Sequence, residues 1–279
     1  MNFYDRDDCI TLSSHIDDYG TKSGIFLFKN IIPQDILNRI EISANSKSKS
    51  TKYEENLINW YEDKILSDID GILDLWELIS EILYPTWVIH PQTGLLRITP
   101  DHDGMFVHSD SPGKHKCNLL SQTDSWKTCC ELDYGVVAYL GQFEGGAIYY
   151  PNIRKDSTIK TQPGDKDDCF EYTPERGDIV IHSAFHPYEH GVRPITSGLR
   201  FAFSNFSLKA IDNPGSFYNY KTPEYFDQLG SRSEKEIKSW GKPLKVNPQF
   251  SKDKIREYKK SGLQGESLSK HFFSDMIEE

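Results

Sequence analysis

The spacing of apolar positions changes period along the chain, and each change marks an element. Residues 24–32, GIFLFKNII, form a short apolar run that reads as a strand. Pro33 then suits the first turn of a helix continuing to about Asn45, with Ile36, Leu37, Ile40 and Ala44 along one side. Ser46 to Lys52 reads as a solvated loop. From about Asn59 to Leu83 the spacing predicts a longer helix: Ile65, Ile69, Ile72, Leu73, Leu75, Trp76, Ile79, Ile82 and Leu83 give it a broad apolar face, and Gly71 is a point of kinking. Period two then takes over. Residues 86–90 and 95–99 read as strands, and Tyr134 to Leu140 as a buried one. Gly145-Gly146 reads as a tight turn feeding another strand, residues 174–178 as a turn before Ile179-Val180-Ile181, and residues 198–203 as the start of a final strand. Two long connections, 111–133 and 152–172, interrupt this series, and connections of that length commonly carry lids or substrate loops. Past Asp212 the character changes again, with short charged helices expected over 222–229, 233–240, 251–260 and 266–278, suited to a cap or an oligomer contact.

Composition narrows the picture. A chain of 279 residues, 37% hydrophobic, can bury one sizeable core, so the expectation is a single folded unit. A net charge of -10, with no Lys/Arg-rich run, repels a phosphate backbone and disfavours nucleic acid as partner. Cys9, Cys117, Cys129, Cys130 and Cys169 are odd in number and form no Cys-x-x-Cys, which suits a reducing compartment. The N-terminus lacks a basic region followed by an apolar one, and no stretch approaches a membrane span, so a soluble, cytoplasmic protein without a membrane partner is expected. Oligomeric state is not legible in the sequence.

Candidate chemistry begins at His108-Ser109-Asp110. In a strand, residues two apart point the same way, so an imidazole and a carboxylate can reach one ion together. A second imidazole from further along would complete two histidines and one carboxylate on one face of an octahedron, the ligand set of non-haem Fe(II) oxygenases. His108, Asp110 and His190 are the candidates. His182 and His186 compete for the distal position; their spacing of four suits a helix, but Pro187 and the β-like Ile179-Val180-Ile181 argue against one there. His102 and His115 read as loop histidines. Arg97, leading into the same strands, is a lesser candidate for touching substrate.

His108-x-Asp110 is followed in order by Tyr139-Leu140, Gly145-Gly146 ahead of Tyr150-Pro151, Pro174-x-x-Gly177-Asp178, and His190 with Arg200 ten positions later. In this order of motifs the central hundred residues resemble the prolyl 4-hydroxylase-like branch of the 2-oxoglutarate and Fe(II)-dependent dioxygenases. The resemblance implies a mostly β fold with flanking helices, built on a double-stranded β-helix, a cupin-like jelly roll. Residues 1–85 would supply an N-terminal strand and helices packed on the barrel, 86–211 the catalytic core, and 212–279 a helical extension of the same unit. His108, Asp110 and His190 would bind Fe(II). 2-Oxoglutarate would take two further positions and O2 the last, with ascorbate a further candidate cofactor. Arg200 would anchor the distal carboxylate of 2-oxoglutarate through parallel hydrogen bonds, and the Tyr139 hydroxyl would also reach the co-substrate.

The implied activity is hydroxylation of an unactivated C–H bond with release of succinate and CO2. The favoured substrate is an amino acid residue of prolyl type, in a peptide or protein or free, and the alternative is a small-molecule biosynthetic oxygenase. Two positions depart from the prolyl hydroxylases: Gly141 stands where Asn often follows Tyr-Leu, and the Tyr usual before His-x-Asp is replaced near Ile98. Both bear on substrate choice and leave the iron ligands intact. Retention of Asp110 disfavours halogenation. The rivals from other classes are a non-catalytic cupin-like binding or sensing protein, which would have no use for an anchor at Arg200, and a zinc site built from His115, Cys117 and Cys129, whose spacing matches no common zinc pattern.

Overall fold

The computed structural model describes residues 2–16, 22–46, 59–61, 66, 69–84, 86–89, 94–110, 133–161, 167–209, 257, 260 and 261. In chain order the strands are β1 (Ile10–Ile16), β2 (Lys22–Phe28), β3 (Asn59–Tyr61), β4 (Trp87–Ile89), β5 (Gly94–Ile98), β6 (Met105–His108) and β7 (Tyr134–Leu140). They continue with β8 (Phe143–Gly145), β9 (Ile148–Tyr150), β10 (Phe170–Tyr172), β11 (Ile179–Ser183), β12 (His190–Val192), β13 (Ile195–Gly198) and β14 (Arg200–Lys209). Helix α1 spans Gln34–Ser46 and helix α2 spans Ile72–Leu83. The larger sheet has eight strands in the order β1-β2-β11-β7-β14-β5-β3, with β4 pairing β14. A second sheet runs β10-β9-β12-β6, and β13 pairs β8 in a two-stranded ribbon. All pairings among the described residues are antiparallel. The protein is mostly β with flanking helices, and the sheets are consistent with a jelly-roll-like core.

The large sheet divides two apolar layers by strand alternation. Phe26, Phe28, Val136, Ala138, Leu140, Ile179, Ile181, Phe201 and Phe203 face α1 and α2, where Ile36, Leu37, Ile40, Trp76, Ile79 and Leu83 close over them. On the opposite face, Ile25, Leu27, Tyr139 and Val180 meet Ile148 and Tyr150 of the second sheet. This alternation is what positions the site, because residues sharing the parity of Val180 and Tyr139 are turned into the space between the sheets.

Helix α1 starts immediately after Pro33, and its four buried side chains are Ile36, Leu37, Ile40 and Ala44. Strand β2 ends earlier than the apolar run suggests, because the chain turns at Lys29-Asn30. Asn30 adopts φ 50° there and its N–H donates to Asp178 Oδ1 at 2.9 Å. The single helix expected over 59–83 is corrected. Residues 59–61 are a strand paired with β5, and Gly71, at φ 85°, is the N-cap of α2 and not a kink within it. A left-handed residue cannot sit inside a right-handed helix, so the apolar spacing upstream of Gly71 does not belong to the same element.

Within the 152–172 connection, residues 152–161 fold back on themselves through an Ile153–Ile159 bridge, and β10 then adds to β9. The connection 111–133, apart from Asp133, lies outside the described residues, as do most of the expected C-terminal helices. No helix of the described residues is long and apolar enough to cross a membrane.

Candidate active site

Strands β6 and β12 are neighbours, and His190 is paired directly opposite His108. Asp110 follows two residues past the end of β6 and is buried. One ligand atom from each of His108, Asp110 and His190 lies within 4.8 Å of the others, and the two imidazole centroids are 4.5 Å apart. Backbone carbonyls set the tautomers. His108 Nδ1 stands 3.0 Å from Phe106 O and His190 Nδ1 stands 3.3 Å from Tyr188 O. A carbonyl can only accept, so each Nδ1 carries a proton and leaves its Nε2 as the metal-binding atom. Two imidazoles and a carboxylate so arranged are consistent with Fe(II) binding.

The local electrostatics favour an ionised carboxylate beside a neutral His190 ring. Burial alone would raise the Asp110 pKa, but the adjacent His190 and the contacts with His108 and His182 outweigh it and hold the group well below the usual carboxylate range. His190 is pushed well below its ordinary value, first by burial and then by the neighbouring His182. For His108 burial acts downward, yet contact with Asp110, at 3.5 Å, leaves its pKa raised.

A cavity of about 180 Å³ lies between the sheets, bounded by these three residues together with Tyr139, His182 and Arg200, and by apolar groups including Ile98, Met105 and Val137. Arg200 opens β14 opposite Ile98 and is only 4% exposed. Its Nη1 donates to Gly146 O at 3.0 Å, while its Nε is buried without a partner. Among the described residues no carboxylate pairs with it. Burial lowers the guanidinium pKa, opposed by Tyr139, whose ring centroid lies 5.9 Å away. Arginine does not give up its proton in proteins, so this is a buried cation with an unmet N–H. Tyr139 is itself buried on the cavity wall, and burial, against the pull of Arg200, pushes its hydroxyl up to about 12, keeping it a hydrogen-bond donor. The residues present therefore fit an anionic oxygen ligand close to a metal.

The other sequence candidates separate cleanly. His186 is exposed and contacts Glu189 Oε1 at 3.0 Å, outside the cluster. His102 is a turn histidine, its Nδ1 accepting from Thr99 N at 2.8 Å, but it is buried and forms part of the cavity wall. Arg97 is not in that wall: on β5 it has the opposite parity to Leu96 and Ile98, which are. His115, Cys117 and Cys129 lie outside the described residues.

His182, weighed in the sequence only as a rival for the distal ligand, is brought into the site in a different position. It sits on β11 of the large sheet, its ring centroid 4.0 Å from that of His190, its Nε2 3.4 Å from Asp110 Oδ2, and its Nδ1 2.8 Å from the Tyr150 hydroxyl. Period two from Val180 would have turned it toward the second sheet. Gly135, on adjacent β7, makes room for the contact: a Cβ there would stand 2.5 Å from both Asp110 Oδ2 and His182 Nε2.

No family model and no curated protein matches the chain. Among solved structures, the chain is similar to the viral collagen prolyl hydroxylase of Paramecium Bursaria Chlorella virus-1 in its 2-oxoglutarate complex, at 14% identity and a TM-score of 0.44, over 67% of this chain and 96% of that one. A Pseudomonas putida prolyl-4-hydroxylase aligns at 10% identity and a TM-score of 0.43, over 70% and 97%. HygX from Streptomyces hygroscopicus, with nickel, 2-oxoglutarate and hygromycin B bound, aligns at 11% identity and 0.44, over 66% and 83%.

Proposed function

We propose that this protein is an Fe(II)- and 2-oxoglutarate-dependent dioxygenase that hydroxylates an amino acid residue of prolyl type, peptidyl or free. The observation that carries the reading is the meeting, on one cavity, of the His108, Asp110 and His190 cluster with the buried, unpaired guanidinium of Arg200. The motif order from His108 to Arg200 supports it, and two facing antiparallel sheets support a double-stranded β-helix as the underlying architecture.

In this reading His108, Asp110 and His190 hold Fe(II), which together with 2-oxoglutarate and O2 supplies the oxidation of an unactivated C–H bond and the release of succinate and CO2. Asp110 contributes a charge already ionised, and the two histidines present Nε2 because their Nδ1 protons are given to carbonyls. Arg200 binds the distal carboxylate with donors it cannot satisfy internally, and Tyr139 donates from the same wall. Leu96, Ile98, Met105 and Val137 give the cavity an apolar wall.

The test is succinate release from 2-oxoglutarate by protein loaded with Fe(II), screened with prolyl peptides, free amino acids and small molecules. Turnover stimulated by one of these and absent in His108→Ala and Asp110→Ala supports the proposal. Folded, iron-loaded protein that forms no succinate under any condition contradicts it.

A further inference from the structure

We propose that His182 is a positioning residue for the metal-binding carboxylate, donating from Nε2 to the second oxygen of Asp110 while Tyr150 latches its ring from behind. The proposal rests on the metal-site reading above and extends it to two side chains outside the ligand set.

The tautomer follows from the partners. Tyr150 and His182 are both buried, and the Tyr150 hydroxyl lies 2.8 Å from His182 Nδ1. If Nδ1 carried the ring proton, the bare lone pair of Nε2 would face the Asp110 carboxylate at 3.4 Å, lone pair against negative charge. With the proton on Nε2, Tyr150 O–H donates to Nδ1 and Nε2–H donates to Asp110 Oδ2, so every group has a matching partner. A protonated Nε2 cannot ligate, which distinguishes His182 from His108 and His190, whose protons sit on Nδ1. Asp110 is thereby divided: Oδ1 is turned to His108 at 3.5 Å and Oδ2 to His182. A carboxylate pinned through one oxygen presents the other to the ion as a single-atom ligand, and partners of this kind typically change metal affinity by about 10- to 100-fold. The packing is specific to the contact. His182 lies over Gly135, where any Cβ would enter the space its Nε2 shares with Asp110, and its ring meets Tyr150 edge-on at 87°.

The experiment measures Co(II) and Mn(II) affinity of the full chain by anaerobic calorimetric titration, together with thermal midpoints of the metal-free proteins. His182→Phe should weaken binding by about 10- to 100-fold. His182→Gln, which keeps an N–H at a similar reach, should recover most of that loss. Tyr150→Phe should weaken binding several-fold, and adding it to His182→Phe should cost nothing further, because the latch acts only through the ring. Unchanged affinity in folded His182→Phe, or equal losses in the Phe and Gln variants, would overturn the proposal while leaving the metal site standing. If His182→Phe does not fold, Tyr150→Phe decides by the same criterion: wild-type affinity in it overturns the latch. Wild-type protein that binds neither ion would instead overturn the metal-site reading itself.

Discussion

Arg200→Met separates stability from ligand binding, because the two should move in opposite directions. The guanidinium is only 4% exposed, makes a hydrogen bond to Gly146 O, leaves Nε unmet, and has no carboxylate partner among the described residues. A buried charge without an opposite charge is costly: even buried ion pairs can often be replaced by apolar side chains of similar volume neutrally or with a gain of about 1–4 kcal/mol. Methionine retains packing against Phe143, whose ring centroid lies 5.7 Å from the guanidinium carbon. The metal-free variant should therefore melt at or above the wild-type temperature. Binding goes the other way. Removing one partner of a desolvated charge pair typically costs about 3–5 kcal/mol, so 2-oxoglutarate affinity should fall by roughly 10²- to 10⁴-fold. Differential scanning fluorimetry of the metal-free proteins and an anaerobic titration of 2-oxoglutarate into the Mn(II) form read the two quantities independently. A variant that melts several degrees lower and binds 2-oxoglutarate like wild type would refute the reasoning: Arg200 would then be a structural residue and the cavity would have no anion subsite.

Two further outcomes are expected. Gly135→Ala places a Cβ 2.5 Å from Asp110 Oδ2 and His182 Nε2, so it should destabilise by about 1–3 kcal/mol through overpacking and weaken metal binding at least tenfold; metal titration at wild-type strength would contradict the close approach. Metal and proton compete for His108 Nε2, and contact with Asp110 raises the His108 pKa above 6.5. Affinity for Mn(II) should therefore climb with pH through that raised value and level off above it. The same pairing stabilises the metal-free fold fully below pH 6.5 and is lost as pH rises through the raised value. A pH-independent metal affinity between pH 6 and 8 would exclude this competition.

Strand parity accounts for both what the sequence disclosed and what it concealed. His108 and Asp110 were legible as a pair because two residues apart on a strand share a face, and His190 was legible as their partner by its place ten positions before Arg200; the structure sets β12 beside β6 with His190 opposite His108. Ile179-Val180-Ile181 was legible as an apolar, β-like run; the structure buries it on both faces, with the isoleucines toward the helices and Val180 toward the second sheet. The next step of that alternation leads to His182, but its meaning depends on which layer covers it, and that depends on β9 presenting Tyr150 from a distant part of the chain. Strand β1 escaped notice because Ile10–Ile16 carries Thr, Ser and His among exposed positions, as an edge strand with one partner can. The short strand at residues 59–61 was absorbed into a helix because the apolar spacing on either side of Gly71 is continuous, and only the left-handed backbone of that glycine shows where the helix starts.

The central claim, one cavity holding a metal and an anchored 2-oxoacid, is tested most directly without oxygen. Fe(II) and 2-oxoglutarate are added to the protein and the visible spectrum is searched for the weak charge-transfer band of a chelated ketoacid. The account predicts a band in wild type, none in His108→Ala or His190→Ala, and one in Arg200→Met that appears only at far higher 2-oxoglutarate. Well-folded wild-type protein that gives no band at saturating Fe(II) and 2-oxoglutarate would contradict it.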